Sequence, residues 1–269
     1  YMSLIETHDL SIYYERSSKQ SNGPLLYIGG TGGDLRNRPN QLDSPLKDSF
    51  EIISYDQRGL GQTSKPENEY TMKQYANDAA DFIDKLGFSS LPVMGVSFGG
   101  MVAQELAIRH PDKVTKLVLA CTSSGGKGGS SYPLHELEEL DPEKKLETGI
   151  KINDLRITDE WTKENPKEWG KLKELSVNRI QYKPEPSGLK NQLLARKDHD
   201  TTSRLTKIKA PVLLAGGKYD GIAPIKNMEY LHRNIKCSTL KFYEGGHLFL
   251  IQDKLAFKEI IEWLIRIDE

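Results

Sequence analysis

The chain has 269 residues, and its 37 basic and 38 acidic side chains give a formal net charge of −1. This balance argues against a polyanion such as nucleic acid as the main partner. A chain of this length can fold as one α/β domain with a substantial core, while its longest apolar runs have only strand length and fall far short of a membrane span.

Short runs with the character of strands alternate with longer helical patterns along most of the chain. The first two runs, over 3–9 and 10–18, predict an antiparallel hairpin. Further strands are predicted over 25–30, 50–56, 91–96, 114–121, 210–217 and 239–246. Helices are predicted over 71–87, 99–111, 224–235 and 256–267. The alternation is typical of βαβ units, so we expect an α/β fold with a mostly parallel, eight-stranded sheet flanked by helices.

The pattern changes in the middle of the chain. A glycine-serine run over 123–131 is followed by charged helical segments over 134–150, 158–180 and 187–198. No strand of convincing length interrupts these segments. We interpret residues 124–204 as a helical insertion into a core formed by 1–123 and 205–269. Taken alone, such an insertion is equally compatible with an addition to the fold that has no functional role.

The strongest signal for chemistry is a G-x-S-x-G motif formed by Gly95, Ser97 and Gly99. It lies between a predicted strand and a predicted helix, which is the context that this motif requires. A sharp turn there would expose the serine side chain at the carboxyl edge of the sheet, above a helix N-terminus that favours a developing negative charge. The alternative interpretation is a tight glycine turn with an idle serine.

This motif and its context resemble those of the α/β-hydrolase fold superfamily, and the resemblance to that family covers nearly the whole chain. The sequence YDQRGLGQTS over 55–64 is similar to the family's D-x-R-G-x-G-x-S loop after the fourth strand. The sequence IGGTGGD over 28–34 stands where the family has a histidine-glycine loop, with Gly29 in place of the histidine. Within the first of these loops, we expect Asp56 and Arg58 to hold the loop together rather than to react.

A serine nucleophile needs a base and a group that orients the base. The resemblance implies the chain order serine, acid, histidine. Asp220 follows a predicted strand in a glycine-bounded turn, although an ordinary turn aspartate that bonds its own backbone would look the same. His247 follows two glycines after the last predicted strand, where the family has its triad histidine. His199 is the rival base, because it could reach the site from the insertion.

The resemblance also implies two backbone amides that stabilise an oxyanion, those of Thr31 and Phe98. The glycine-rich loop over 29–33 suits a backbone that must turn an N–H group inward. Glycines after a strand can also bind phosphate, but the spacing here fits neither phosphate fingerprint.

Ser97 argues against relatives such as dehalogenases and epoxide hydrolases, which need an aspartate nucleophile. Together with Asp220 and His247 it implies acyl transfer through an acyl-enzyme, and the general resemblance is to enol-lactonases and small carboxylesterases. The expected partner is a small ester or lactone. Ligand receptors, carbon–carbon-bond hydrolases, haloperoxidase-like enzymes and lyases of the same fold remain open alternatives.

The sequence contains no metal-ligand spacing and no dinucleotide fingerprint, so neither a metal nor a cofactor is expected. Cys121 and Cys237 lie far apart, which favours free thiols in a reduced compartment. No segment near the start has the order of a signal peptide, and we expect a cytoplasmic protein without a membrane partner. The oligomeric state leaves no signal in the sequence.

Overall fold

A sheet of eight strands forms the centre of the computed structural model, which describes residues 3–266. The strands are β1 (Ser3–Glu6), β2 (Ser11–Arg16), β3 (Pro24–Ile28), β4 (Glu51–Tyr55), β5 (Leu91–Val96), β6 (Val114–Ala120), β7 (Val212–Gly217) and β8 (Ser238–Tyr243). Their order across the sheet is β1-β2-β4-β3-β5-β6-β7-β8. All eight correspond to predicted strands.

The sheet is antiparallel only at one edge. β1 pairs with β2 as the predicted hairpin, and β2 runs antiparallel to β4. From β4 to β8 every neighbouring pair is parallel. The carboxyl ends of β3, β5, β6, β7 and β8 therefore meet at one edge, where side chains that follow different strands come together.

Ten helices are connected to this sheet within residues 3–266. They are α1 (Met72–Lys85), α2 (Phe98–Arg109), α3 (Leu134–Leu137), α4 (Pro142–Asn153), α5 (Asp159–Glu164), α6 (Pro166–Asn178), α7 (Pro186–Lys197), α8 (Ile225–Asn234), α9 (Phe249–Gln252) and α10 (Lys254–Ile265). The last residue of the predicted C-terminal helix, Ile267, lies outside the described residues.

Buried apolar side chains form one cluster on each face of the sheet. Alternation along β3 shows the division, since Leu26 and Ile28 enter one cluster while Leu25 and Tyr27 enter the other. The first cluster includes buried residues of α1, α2 and α8, and the second includes buried residues of α10. Helices on both faces are the expected cover for a parallel sheet. The prediction of an α/β fold is confirmed.

Residues 124–204, between β6 and β7, contain α3 to α7. The only pairing of strand type that the structure gives this segment is an isolated bridge between Gly125 and Asp200. Two predicted segments are each divided into two helices, because α4 and α6 begin anew with a proline at their first position. The helical content agrees with the prediction, but the division into a core and a cap stays a prediction.

Within residues 3–266, no helix combines the length and the apolar character that crossing a bilayer requires. Both cysteines are free thiols, with Cys121 buried and Cys237 exposed. The cytoplasmic location stays a prediction.

Candidate active site

Ser97 lies at the sharp turn between β5 and α2. Its backbone has φ 55° and ψ −117°, a region that non-glycine residues rarely adopt. Two hydrogen bonds hold the turn. The Ser97 amide donates to the Ala120 carbonyl at 2.9 Å, and the Thr122 hydroxyl donates to the Ser97 carbonyl at 2.8 Å. The end of the neighbouring strand β6 and the residues that directly follow it thus maintain the strained conformation.

The two glycines of the motif permit close packing of backbone around this turn. A Cβ atom on Gly95 would lie closer than 3.0 Å to the carbonyl oxygen of Gly99 and to Ala103. A Cβ atom on Gly99 would lie closer than 3.0 Å to the carbonyl oxygens of Ile28 and Gly29. The motif therefore allows the first turn of α2 to touch both β5 and the loop that follows β3.

Ser97, His247 and Asp220 form a continuous chain of hydrogen bonds. The His247 Nε2 atom is 2.9 Å from Ser97 Oγ, and Nδ1 is 2.8 Å from Asp220 Oδ2. Because the carboxylate accepts from Nδ1–H, the Nε2 lone pair faces the serine hydroxyl. Asp220 is 2% exposed, and its Oδ1 accepts from the amides of Ile222 and Ala223, both at 2.8 Å. The structure brings the three predicted residues together.

The predicted oxyanion donors lie beside Ser97. A Cβ atom on Gly30 would be 3.6 Å from Ser97 Cβ, which places the start of the Thr31 loop against the serine. Phe98 is the first residue of α2, where amides have no acceptor within the helix. Neither the Thr31 nor the Phe98 amide donates a hydrogen bond to another described residue. Both amides are thus available to a ligand, while their role stays a prediction.

Asp56 and Arg58 do not contact the triad. The Asp56 carboxylate accepts from the amides of Leu35 and Gln62, both at 2.8 Å. Arg58 makes a bidentate ion pair with Asp78 at 2.8 and 2.7 Å. These contacts are those of residues that hold a loop in place.

The rival base, His199, lies apart from this chain of hydrogen bonds. It is 4% exposed, and its Nε2 contacts the Ser123 carbonyl at 3.2 Å. Burial lowers the pKa of His199 to about 4.

The structure brings Cys121 close to the triad, which the sequence did not indicate. Its thiol and ligand atoms of Asp220 and His247 all lie within 4.8 Å of one another, a spacing that could hold a metal ion. However, both ring nitrogens of His247 already take part in hydrogen bonds. Burial raises the pKa of the Cys121 thiol well above its usual range, which disfavours the thiolate that a metal needs. This donor set does not fit a metal.

A model of the alpha/beta hydrolase fold family matches residues 23–254. The chain belongs to this family. Over 97% of its length the hydrolase is 24% identical to 3-oxoadipate enol-lactonase 2 of Acinetobacter baylyi, of which it covers 96%. It is 28% identical to the poly(3-hydroxyalkanoate) depolymerase of Ectopseudomonas oleovorans, over 91% of the chain and 85% of the relative.

Solved structures show the same fold. The enol-lactonase from Burkholderia xenovorans LB400 superposes with a TM-score of 0.77 at 19% identity, covering 98% of this chain and 99% of the other. The esterase from Exiguobacterium antarcticum gives a TM-score of 0.77 at 23% identity, covering 99% and 100%. The predicted family, the fold class and the prediction of a hydrolase are confirmed.

Sequence reasoning missed the contacts that the helical segment makes with the candidate site of this hydrolase. The Asn153 carbonyl, at the end of α4, accepts from the His247 amide at 2.6 Å. Next to it, Asp154 accepts from Gln252 Nε2 at 3.0 Å, while Gln252 Oε1 accepts from the Gly246 amide at 2.8 Å. The end of α4 therefore holds the loop that carries His247.

The Asp220 loop and the Thr31 loop are held in the same way. The Gly221 amide, next to Asp220, donates to the Ile152 carbonyl at 3.0 Å. In α7, Gln192 Oε1 accepts from the Gly32 amide at 2.8 Å. A backbone carbonyl acts regardless of its side chain, so no residue pattern could have shown the contacts of Asn153 and Ile152.

Proposed function

We propose that this hydrolase cleaves a small carboxylic ester or lactone through an acyl-enzyme on Ser97. The observation that carries the proposal is the unbroken chain from Asp220 through His247 to the serine hydroxyl, set at a strained turn above the N-terminus of α2. The relatives named as enol-lactonase and esterase support an ester or lactone as the substrate.

In the first half of the reaction, Asp220 keeps the Nδ1–H tautomer of His247, whose Nε2 accepts the serine proton. The Ser97 Oγ forms a bond to the carbonyl carbon, and the carbonyl oxygen becomes an oxyanion. The amides of Thr31 and Phe98 stabilise that charge, an effect for which one donor is worth about 3 kcal/mol of barrier. The bond to the leaving oxygen then breaks, and that oxygen takes the proton from Nε2.

In the second half, water replaces the leaving alcohol. His247 Nε2 accepts a proton from the water as its oxygen bonds to the acyl carbon. The second oxyanion collapses by breaking the bond to Ser97 Oγ, which regains the proton. The carboxylic acid leaves, and the enzyme returns to its starting state without a cofactor.

Residues 124–204 act in this proposal as a cap over a core formed by 1–123 and 205–269. The contacts of Asn153 with the base loop and of Gln192 with the Thr31 loop support this role. A cap in that position would exclude water and shape the acyl pocket.

The test is steady-state hydrolysis of p-nitrophenyl esters from acetate to decanoate. We expect many turnovers by the parent, a loss of at least about 10⁴-fold in Ser97→Ala, and a loss of similar order in Asp220→Asn. Ser176→Ala, in α6, is the control and should behave like the parent. Equal rates in Ser97→Ala and the parent would refute the mechanism, and tight ligand binding without turnover would favour a receptor.

A further inference from the structure

A cavity of about 120 Å³ lies between the helical segment and the start of α2. It is lined by Met101, Ser131, His135, Arg196, Lys197 and His199, among others, but not by Ser97, Asp220 or His247. Lys197 is exposed and marks its mouth, whereas Arg196 and His199 are buried. We call this space the Arg196 cavity. This volume is larger than a single water molecule needs, and it has room for a ligand of a few heavy atoms.

Arg196 is a buried cation without an anionic partner within residues 3–266. It is 6% exposed, and its Nη1 donates to the Tyr132 carbonyl at 2.8 Å. Its Nε and Nη2 atoms are buried and have no hydrogen-bond partner within residues 3–266. Burial alone lowers the pKa of Arg196 to about 10, and no carboxylate raises it in return. Leaving such a charge unpaired is costly, so its retention calls for an explanation.

A second well-buried guanidinium, that of Arg58, shows what is missing. Arg58, at 4% exposure, presents its Nε and Nη2 to the two oxygens of Asp78 at 2.8 and 2.7 Å. The same two nitrogens of Arg196 form a fork that fits a carboxylate in the same bidentate geometry. Arg196 is one of the residues that line the cavity.

Other polar side chains of the cavity wall, the buried Ser123 and His199 and the half-buried Ser131, complete a polar site. The Ser123 hydroxyl is 3.0 Å from that of Ser131, and either can donate to an anion. His199 donates from Nε2 to the Ser123 carbonyl, which leaves its Nδ1 as a buried acceptor without a partner among the described residues. One buried positive charge, with the second charge of Lys197 exposed at the mouth, matches an anion with one negative charge better than a phosphate dianion.

From these contacts we infer that the Arg196 cavity binds a carboxylate group, held by the Nε and Nη2 donors of Arg196. The carboxylate can belong to a free small acid or to a substrate that carries an acid group besides its ester. The position of Arg196 suits the second source, because Gln192, one helical turn earlier on α7, holds the Thr31 loop. Binding itself does not depend on the proposed function.

The test is calorimetric titration of sodium acetate into the Ser97→Ala variant, in a buffer without carboxylates. We expect saturable binding that Arg196→Gln weakens by at least about 10-fold, as loss of a charge-assisted pair implies. Arg179→Gln, an exposed position after α6, is the matched control and should bind like its parent. Neutral acetamide should not bind. Because Arg196→Gln removes an unpaired charge, its melting temperature should not fall, so lost binding will not reflect unfolding.

Absence of saturable acetate binding, or equal affinity in Arg196→Gln, would overturn the inference. Tighter binding of chloride or inorganic phosphate than of acetate would overturn the choice of a carboxylate. Hydrolysis of the p-nitrophenyl monoester of succinate and of p-nitrophenyl butyrate distinguishes the two sources. If the acid group of a substrate occupies the cavity, Arg196→Gln lowers kcat/KM only for the succinate ester. If a free acid occupies it, Arg196→Gln leaves the ratio of the kcat/KM values for the two esters unchanged. If neither ester turns over, the proposed function fails while the acetate titration still decides the binding site.

Discussion

The sheet core and the helical segment over 124–204 differ in how firmly they are packed. Around Ser97 the strands and α2 are almost fully buried, and backbone touches backbone. In the segment, α4, α5 and α6 contain no buried residue. Yet the end of the loosely packed α4 holds the loops of His247 and Asp220 through the carbonyls of Asn153 and Ile152. Ser97 is thus held by the tightly packed region, and the placement of His247 and Asp220 depends in part on the loosely packed one.

The largest effect should come from a methyl group added where the core is tightest. In Gly99→Ala the new Cβ would meet the carbonyl oxygens of Ile28 and Gly29 closer than 3.0 Å, and neither backbone can move without distorting the sheet edge. We expect a loss of about 3 kcal/mol or more in the free energy of unfolding, measured by urea denaturation. Ester hydrolysis should fall with it, because β3 carries the Thr31 loop. Parent-like stability of Gly99→Ala would mean that the motif glycines do not set the packing.

The second largest effect should be a loss of stability at low pH, at the contact between the helical segment and the core. His199, near the end of the segment, is buried, and burial lowers its pKa from 6.5 to about 4. Between those values the unfolded chain binds a proton that the folded chain does not, so stability falls as the pH is lowered. The full difference is about 3 kcal/mol. Glu105, Asp200 and Arg204 also act on this histidine, and Glu105 and Asp200 favour its charged form.

The measurement is urea denaturation of the parent and of His199→Gln between pH 7 and pH 4, in buffers without carboxylates. The free energy of unfolding should fall less steeply with decreasing pH in the variant. The difference in slope should correspond to about one proton taken up on unfolding. His232→Gln, at an exposed position on α8, is the control and should follow the parent. An identical pH dependence in His199→Gln would show that this side chain is hydrated rather than buried.

A smaller effect should follow from loosening the end of α4. Asp154→Asn removes one of the carboxylate oxygens that bind Gln252 and Arg156, and Gln252 in turn holds the Gly246 amide. We expect kcat for p-nitrophenyl esters to fall about 10-fold with little change in KM, because a positioning residue acts on His247 and not on the substrate. Asp159→Asn, which removes an exposed ion pair with Lys151 in the same segment, should keep full activity. If Asp154→Asn is as active as Asp159→Asn, the end of α4 does not position His247.

The same difference in packing explains what the sequence could predict. Core strands are short apolar runs bounded by glycine and polar residues, and the motif around Ser97 requires specific residue types at fixed spacing, so both leave a pattern. His247 and Asp220 follow strands whose ends must meet. Arg196 gave no such signal, because its charged helix reads as a solvated face until tertiary packing buries it. Its environment arises from contacts between residues far apart in the chain, which no local pattern records.

The smallest expected effect tests whether the helical segment is packed as loosely as its comparison with the core indicates. Gly170 lies inside α6, and a Cβ atom there would meet nothing within 4 Å, in contrast to Gly99. Gly170→Ala should therefore stabilise the helix by about 1 kcal/mol through backbone entropy alone. Amide hydrogen exchange in α6 should slow about 5-fold, since exchange by local opening follows the local free energy. Gly149→Ala, equally unobstructed within α4, should slow exchange there by a similar factor. Faster exchange in either variant would mean that the segment packs against a surface that these contacts do not include.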